Sequence, residues 1–376
     1  MKTHFVLFIC FVVLLFSCGG NSTTRKIENK DSVMDESSIL DLEPRIKADF
    51  IEDIEVTKIA FGSCGNQDKP WPILDKVLNA NPDVFVFLGD NIYGDTKVMD
   101  TLKAKYNRLG NKENFQTLMK NTKVLATWDD HDFGWNDSGR HYKFKEESKE
   151  IFLDFWKEPT TSPRRERKGI YSSYCFNSSG KTVQIILLDT RTFRDNLQLY
   201  NNEEVDKEAF HYELDYWPNE NQDSTFLGNE QWAWLEAQLS IPADLRIIGS
   251  STQFGISYNG YEAWANVPIE RQKLIDLISD TRAENVVFIS GDVHYAEVSE
   301  VTSGNCYTLY DFTSSGITST WKFATPNENR VDGPIMENHF GMLTIDWENN
   351  KLIGNVIDID GNTRITRDID LDALKF

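Results

Sequence analysis

Six short apolar runs, each breaking off into reactive polar residues, constrain this sequence more than any other feature. Ile59-Ala60-Phe61 leads into Gly62-Ser63-Cys64, Val84–Leu88 into Gly89-Asp90, and Val124-Leu125-Ala126 into Trp128-Asp129-Asp130-His131. Further on, Ile185-Ile186-Leu187-Leu188 leads into Asp189-Thr190-Arg191, Ile247-Ile248 into Gly249-Ser250-Ser251, and Val286-Val287-Phe288-Ile289 into Ser290-Gly291-Asp292-Val293-His294. Runs this short and rich in β-branched residues read as strands buried on both faces. Between them lie segments with helical spacing: Ile73-Leu74-Val77-Leu78, the stretch 106–118, Ile151-Phe152-Phe155-Trp156, Trp232-Trp234-Leu235-Leu239 and Ile269-Leu274-Leu277-Ile278. Strand alternating with helix predicts an α/β layered fold with a parallel or mixed central sheet. Ligands of such sheets bind beyond the carboxyl ends of the strands. Every reactive cluster above falls at that end, which points to a single site.

The remaining chain is organised around those runs. Beyond Asn305, the segments 307–312, 341–347 and Lys351–Asp358 read as further strands of the same domain, expected over 51–376. The stretch 191–228 is polar, aromatic and poorly periodic, and reads as a long surface excursion facing substrate. His141, His211 and His339 sit in no spacing that assigns them chemistry. Trp135, beside the Asp-Asp-His run, is a candidate for the site entrance.

The N-terminus reads as an address. Lys2 precedes a twelve-residue apolar run over 5–16, too short to span a bilayer comfortably and right for the core of a secretory signal. It ends Leu15-Phe16-Ser17-Cys18-Gly19, which resembles a bacterial lipobox. On that reading residues 1–17 are removed, Cys18 carries lipid, and 18–50 form a flexible tether. The other reading is an ordinary signal with a chance cysteine. The expected location is extracytoplasmic, lipid-anchored, at the periplasmic face of an outer membrane. Of five cysteines, Cys64, Cys175 and Cys306 remain in the domain, so no disulfide framework is expected. With 39 basic against 59 acidic residues the net charge is −20, which disfavours nucleic-acid binding as a primary role. Any phosphate-handling site needs local positive charge of its own.

Converging strand ends would crowd Asp90, Asp129, Asp130, Asp132 and Asp292 on one face, with Arg191 the one plain offset. Carboxylates within about 4–6 Å of each other resist joint ionisation, and a multivalent cation removes the conflict. His131 and His294 sit at the same ends, and imidazole is the commonest nitrogen ligand. Cys64, in Gly-Ser-Cys-Gly, adds a thiolate, and Tyr93, in Gly-Asp-Asn-Ile-Tyr, a phenolate. That donor set suits iron(III) better than magnesium. The oxygen donors left over (Asp90 as a bridge, Asp130, Asn136 or Asp137, and Asp292) suit a harder ion such as calcium.

Taken in order, Gly89-Asp90-x-x-Tyr93, Asp129-Asp130-His131-Asp132 and Gly291-Asp292-x-His294 resemble the blocks of calcineurin-like metallophosphoesterases. Phe61-Gly62-Ser63-Cys64-Gly65 and the Asp-Asp-His block resemble the PhoD-like branch, the alkaline phosphatase D type. The resemblance spans 58–294, with a weaker echo at 338–341. It implies a four-layer α-β-β-α sandwich with mixed sheets, a binuclear or trinuclear iron–calcium type centre, and hydrolysis of phosphomonoesters or phosphodiesters by a metal-bridged water. Carried over, Cys64, Asp90, Tyr93 and His294 would ligate iron. Asp90 would bridge to a second metal completed by Asp130 and Asp292. His131 would sit near the leaving group, and Arg191 would meet the phosphate or else pair with Asp189 or Asp195. Other divalent metals fit the same ligands. The competing expectations are a lipid-anchored binding protein with little turnover, and a phosphodiesterase acting on lipid or wall-polymer diesters.

Overall fold

The strand Val84–Leu88 shows how the layers arise. Successive side chains alternate across a strand, so Val84, Val86 and Leu88 face one way and Phe85 and Phe87 the other. The first set joins a core shared with Ile185, Leu187, Ile247, Val287 and Ile289 of a second sheet. The second set packs against Ile73, Leu74, Leu102, Tyr106 and Phe152 on helices. With both faces covered, the strand is apolar throughout, which is why it reads as a continuous run.

The computed structural model describes residues 47–200 and 212–376. The signal 1–17, Cys18 and nearly all of the tether lie outside the described residues, as does His211. One sheet has eight strands in the order Phe50–Glu52, Ser172–Ser178, Lys181–Leu187, Leu245–Ser250, Val286–Ser290, Cys306–Ser314, Ala296–Ser303 and Arg330–Ile335. The other has six, in the order Thr363–Asp370, Lys351–Asp358, His339–Asp346, Lys58–Gly62, Val84–Leu88 and Lys123–Thr127. The strands that end in reactive residues are parallel within each sheet; His339–Asp346 and Ser172–Ser178 flank them antiparallel, and Cys306–Ser314 continues the parallel set. Helices Ile73–Ala80, Met99–Gly110, Glu113–Asn121 and Lys145–Phe155 contribute to the core on the outer face of the six-stranded sheet. Gly228–Leu239 and Pro268–Asp280 do the same for the eight-stranded one. The result is the expected four-layer α-β-β-α sandwich with mixed sheets.

Two local expectations are refined. The helical stretch 106–118 is two helices, broken at Gly110-Asn111-Lys112, where glycine and asparagine propagate a helix poorly. The excursion over 191–228 is partly ordered: Gln198–Leu199 pairs antiparallel with Tyr216–Trp217. No helix among the described residues is long and apolar enough to cross a membrane. Cys64, Cys175 and Cys306 are all free thiols.

Candidate metal centre

Where the strands stop, the backbone turns into the left-handed region at residues that carry chemistry. Cys64 (φ 62°), Asp90 (49°), Asp95 (41°), Asp137 (54°), Asp292 (81°) and His294 (62°) all have positive φ. Non-glycine residues held there cost of order 1–3 kcal/mol each, and such strain concentrates at functional sites. Two glycines allow the tips to close on each other. A Cβ on Gly89 (φ 98°) would lie 2.5 Å from the Asp129 Cβ, and one on Gly291 would lie 2.6 Å from the Ser63 hydroxyl. Only glycine lets the Asp90, Asp129 and Asp292 loops approach this closely.

Asp132 ties the first two loops together. Its Oδ1 accepts from the backbone N–H of Asp129 (2.6 Å) and of Asp90 (3.3 Å), and its Oδ2 from that of Asn91 (3.2 Å). One member of the expected carboxylate crowd is thus a brace, capping the short helix Asp130–Phe133. From the braced loops, one ligand atom each of Asp90, Asp130 and His131 fall within 4.8 Å of one another. Asp130, Asp137 and Glu262 form a second such group. Asp90, Asp130, His131, Asn136, Asp137, Glu262, Asp292 and His294 line one cavity of about 180 Å³.

Cys64 lies against this lining, its Sγ 3.5 Å from Asp90 Oδ2 and 3.3 Å from the Ser315 hydroxyl. The Tyr93 ring sits between those of His131 (4.4 Å) and His294 (6.4 Å). His294 Nδ1 is 3.0 Å from the Ser319 carbonyl oxygen, which fixes that nitrogen as donor and leaves Nε2 as the free lone pair. Burial keeps His294 below its ordinary pKa, the neutral form a ligand needs. His131 Nδ1 is 2.7 Å from Asp95 Oδ1. Burial opposes the charge on that ring, but the Asp95 hydrogen bond and the Asp130 carboxylate outweigh it and hold its pKa up at about 9.

The carboxylates show what the site can hold. Burial, then Cys64, Asp130 and Asp129, push Asp90 well above the carboxylate range. Burial, then Asp129, Glu262 and Asp130, do the same to Asp292. Asp137 rises to about 7 through burial, Glu262 and Asp130. Burial raises Cys64 to about 12 against the opposing Ser315 and Ser63 hydrogen bonds. Asp90 Oδ1 and the Tyr93 hydroxyl are buried with no hydrogen-bond partner of good geometry. Buried oxygens are paired or coordinate metals. Thiolate, phenolate, imidazole and carboxylate donors converging on unsatisfied oxygens therefore fit bound cations.

Arg191 stands apart from its expected role. It is fully buried and absent from the cavity lining. Its Nε donates to Asp129 Oδ1 (2.6 Å) and its Nη1 to both oxygens of Glu262 (2.8 and 2.9 Å). From behind the lining the guanidinium neutralises Asp129 and the lining residue Glu262, and in this arrangement it does not reach the cavity. Its pairing is with Asp129 and Glu262, not with Asp189 or Asp195. Asn136 lies on the lining with an exposed side chain, and Asp137 beside it is the better-held oxygen, accepting from the Tyr216 hydroxyl.

Sequence reasoning missed Glu262 and Asp95. Glu262 sits in the loop that follows the strand Leu245–Ser250, so the rule that strand ends carry chemistry flags its region but not the residue. Asp95 lies five positions after Asp90 in the same loop. His339, given no role, is a support: its Nε2 accepts from the Ser315 N–H (3.1 Å), and Ser315 in turn accepts from the His294 N–H (2.9 Å).

The chain is 24% identical over 214 residues to alkaline phosphatase D of Bacillus subtilis (strain 168), a match covering 51% of this chain and 34% of that protein. The chain thus spans about a third of the length of this curated relative. The solved structure of PhoD superposes with a TM-score of 0.65 at 16% identity, covering 85% of this chain and 72% of that one. GAP50, the anchor in the inner membrane complex of Plasmodium, superposes with a TM-score of 0.54 at 14% identity, covering 84% of this chain and 89% of its own. At such identities these structures show the shared fold. The model of the PhoD-like phosphatases matches residues 59–342, well over half of the sequence and every strand end described above, and the chain belongs to that family.

Proposed function

We propose that this chain hydrolyses phosphate esters at a centre of two or more metal ions, on a protein lipid-anchored through Cys18 and facing away from the cytoplasm. The observation that carries the catalytic part is the buried, unsatisfied Asp90 Oδ1 and Tyr93 hydroxyl beside a cavity walled by carboxylates and imidazoles. Cys64, Asp90, Tyr93 and His294 would hold iron(III). Asp90, Asp130 and Asp292, with Asn136 or its neighbour Asp137 and with Glu262, would hold calcium or another divalent ion. Bound there, such ions supply positive charge for the phosphoryl oxygens and an acidified water as nucleophile.

The chain's own residues do the rest. His131 holds a proton on an imidazole oriented by Asp95, and it lines the cavity where a leaving oxygen would need that proton. Arg191 is a positioning residue, holding Asp129 and Glu262 at fixed places around the second ion. The cavity is smaller than the roughly 300–1,000 Å³ usual for drug-sized ligands. It accepts a phosphoryl group and leaves the rest of an ester on the rim.

The test is hydrolysis of a chromogenic phosphomonoester and its diester analogue, with metal content measured on protein purified without chelators. Turnover of either with bound transition metal supports the reading. Bound metal with no turnover favours a binding role, and no metal at all removes the centre. Labelling with a radioactive fatty acid, lost in Cys18→Ala, tests the anchor.

A further inference from the structure

The cavity wall continues into a row of aromatic rings. Trp321 and Tyr261 line the cavity, and their rings are 5.5 Å apart. Trp321 lies 5.3 Å from the His294 ring, so the aromatic surface begins at a proposed metal ligand. Tyr212 stacks on Tyr261 at 5.6 Å with 7° between planes, and Phe323 meets Tyr212 edge-on at 5.3 Å. The row therefore runs His294, Trp321, Tyr261, Tyr212, Phe323, from the centre to a phenylalanine that is 43% exposed.

It is held rigidly. Buried Asn259 accepts the Tyr261 N–H on its side chain (3.0 Å) and the Tyr212 hydroxyl on its carbonyl (2.6 Å). Its side-chain amide donates to Thr325 (2.7 Å), and the Trp321 N–H donates to the His294 carbonyl (3.0 Å). Among the described residues that line the cavity there is no Lys or Arg. The nearest cation in sequence, Lys322, is exposed. A second anionic group on the substrate thus has no partner in the lining, whereas a planar ring can meet exposed Phe323 and the partly exposed rings of Trp321, Tyr261 and Tyr212. Such contacts favour offset or edge-on stacking of another ring.

We infer that the row Trp321, Tyr261, Tyr212 and Phe323 is a stacking subsite, and that the preferred substrates are phosphate esters whose organic arm carries a planar aromatic ring. This rests on the phosphoesterase reading above and adds the substrate class to it. The reaction cleaves a P–O bond with water in either case, and the subsite acts on binding.

The test uses the metal-loaded full chain and esters that differ in one arm only, methyl and 1-naphthylmethyl phosphate and the corresponding methyl diesters, read by product release, so that the naphthyl is the one aromatic ring present. The wild type is expected to prefer the naphthylmethyl ester by about tenfold in kcat/KM, expressed in KM, as one good ring contact supplies. Phe323→Ala and Trp321→Ala are each expected to bring the ratio toward one. A wild-type ratio near one, or a ratio that neither variant changes, overturns the subsite. Calorimetric titration with 1-naphthylmethylphosphonate and methylphosphonate repeats the comparison without turnover. Equal affinities there sink the subsite, while unequal affinities with no hydrolysis of any of these mono- or diesters sink the phosphoesterase reading alone.

Discussion

Asp95 Oδ1 lies 2.7 Å from His131 Nδ1, on a loop that the strand end at Asp90 sends back across the site. The contact fixes the ring and favours its protonated form. A donor of this kind loses activity as pH rises through its pKa, because the acid form disappears. Burial opposes that charge and Asp95 more than offsets it, so Asp95→Asn moves the alkaline limb of the rate profile to lower pH. His131→Ala is expected to lower kcat by about 10²–10⁴-fold. Steady-state rates across pH for both variants check this, and an unmoved alkaline limb in Asp95→Asn rules out the pairing as functional.

Arg191 gives a prediction of the opposite kind. It sits between Asp129 and Glu262 with no exposed surface. Arg191→Met leaves buried Asp129 without a cation and Glu262 with Arg194 alone, and is expected to cost about 3–5 kcal/mol of stability. Arg191→Lys recovers little, because one ammonium cannot reproduce the fork. Denaturant unfolding measures this. A variant with normal stability and a raised KM for phosphate esters would instead place Arg191 against substrate.

His339 sets a pH dependence of folding. Burial depresses its pKa from 6.5 to about 4, and the fold needs the neutral ring, which accepts from Ser315. The unfolded chain binds the proton first, so this stability is complete above pH 6.5 and is lost as pH falls from 6.5 toward 4. The full loss is about 3 kcal/mol. Unfolding of wild type and His339→Gln at pH 7 and 4.5, both in chelator, isolates it: the variant should be less stable at pH 7 and lack this part of the acid decline.

Removing metal should expose the conflict among the carboxylates. Chelation is expected to lower Tm by roughly 5–15 °C, as loss of a ligand held near a thousandfold above its Kd does in a chain of this size. Asp90→Asn should abolish turnover. If iron(III) binds the Tyr93 oxygen, the loaded protein is coloured and Tyr93→Phe loses the visible band. An identical spectrum in the variant removes Tyr93 from the ligand set.

Gly89→Ala separates loop approach from ligand chemistry. The added methyl would press into Asp129 at a φ of 98° that alanine rarely adopts. Asp90 remains present, yet metal content per chain is expected to fall. Unchanged metal content would show that the two loops have more room than their spacing suggests.

The strands and their reactive ends were legible in the linear order of residues, because burial on both faces and the change from apolar to polar at a strand tip leave local patterns. Cys64, Asp90, Asp130, Asp292 and His294 follow directly from that rule, and each lies at or against the cavity. Asp95 and Glu262 were not legible, since neither ends a strand or keeps a period. Their importance comes from what the loops lay beside them, His131 in one case and Arg191 in the other. Arg191 itself shows the limit most clearly: it ends a strand as the rule requires, and so resembles a phosphate ligand, but it points into the protein.

Local chemistry alone dictates which segments become strands, which helices cover them and which side chains gather at one edge, since these depend on periodicity and on the conformations each residue tolerates. The partner of each gathered side chain depends instead on distances between loops tens to hundreds of positions apart in the chain. Electrostatic and hydrogen-bond energies vary steeply with those distances. So Asp132 becomes a brace once Val84–Leu88 and Lys123–Thr127 lie side by side, and Asp129 is set apart from the candidate ligands as a counter-charge only once the sheet that carries Arg191 has packed against theirs.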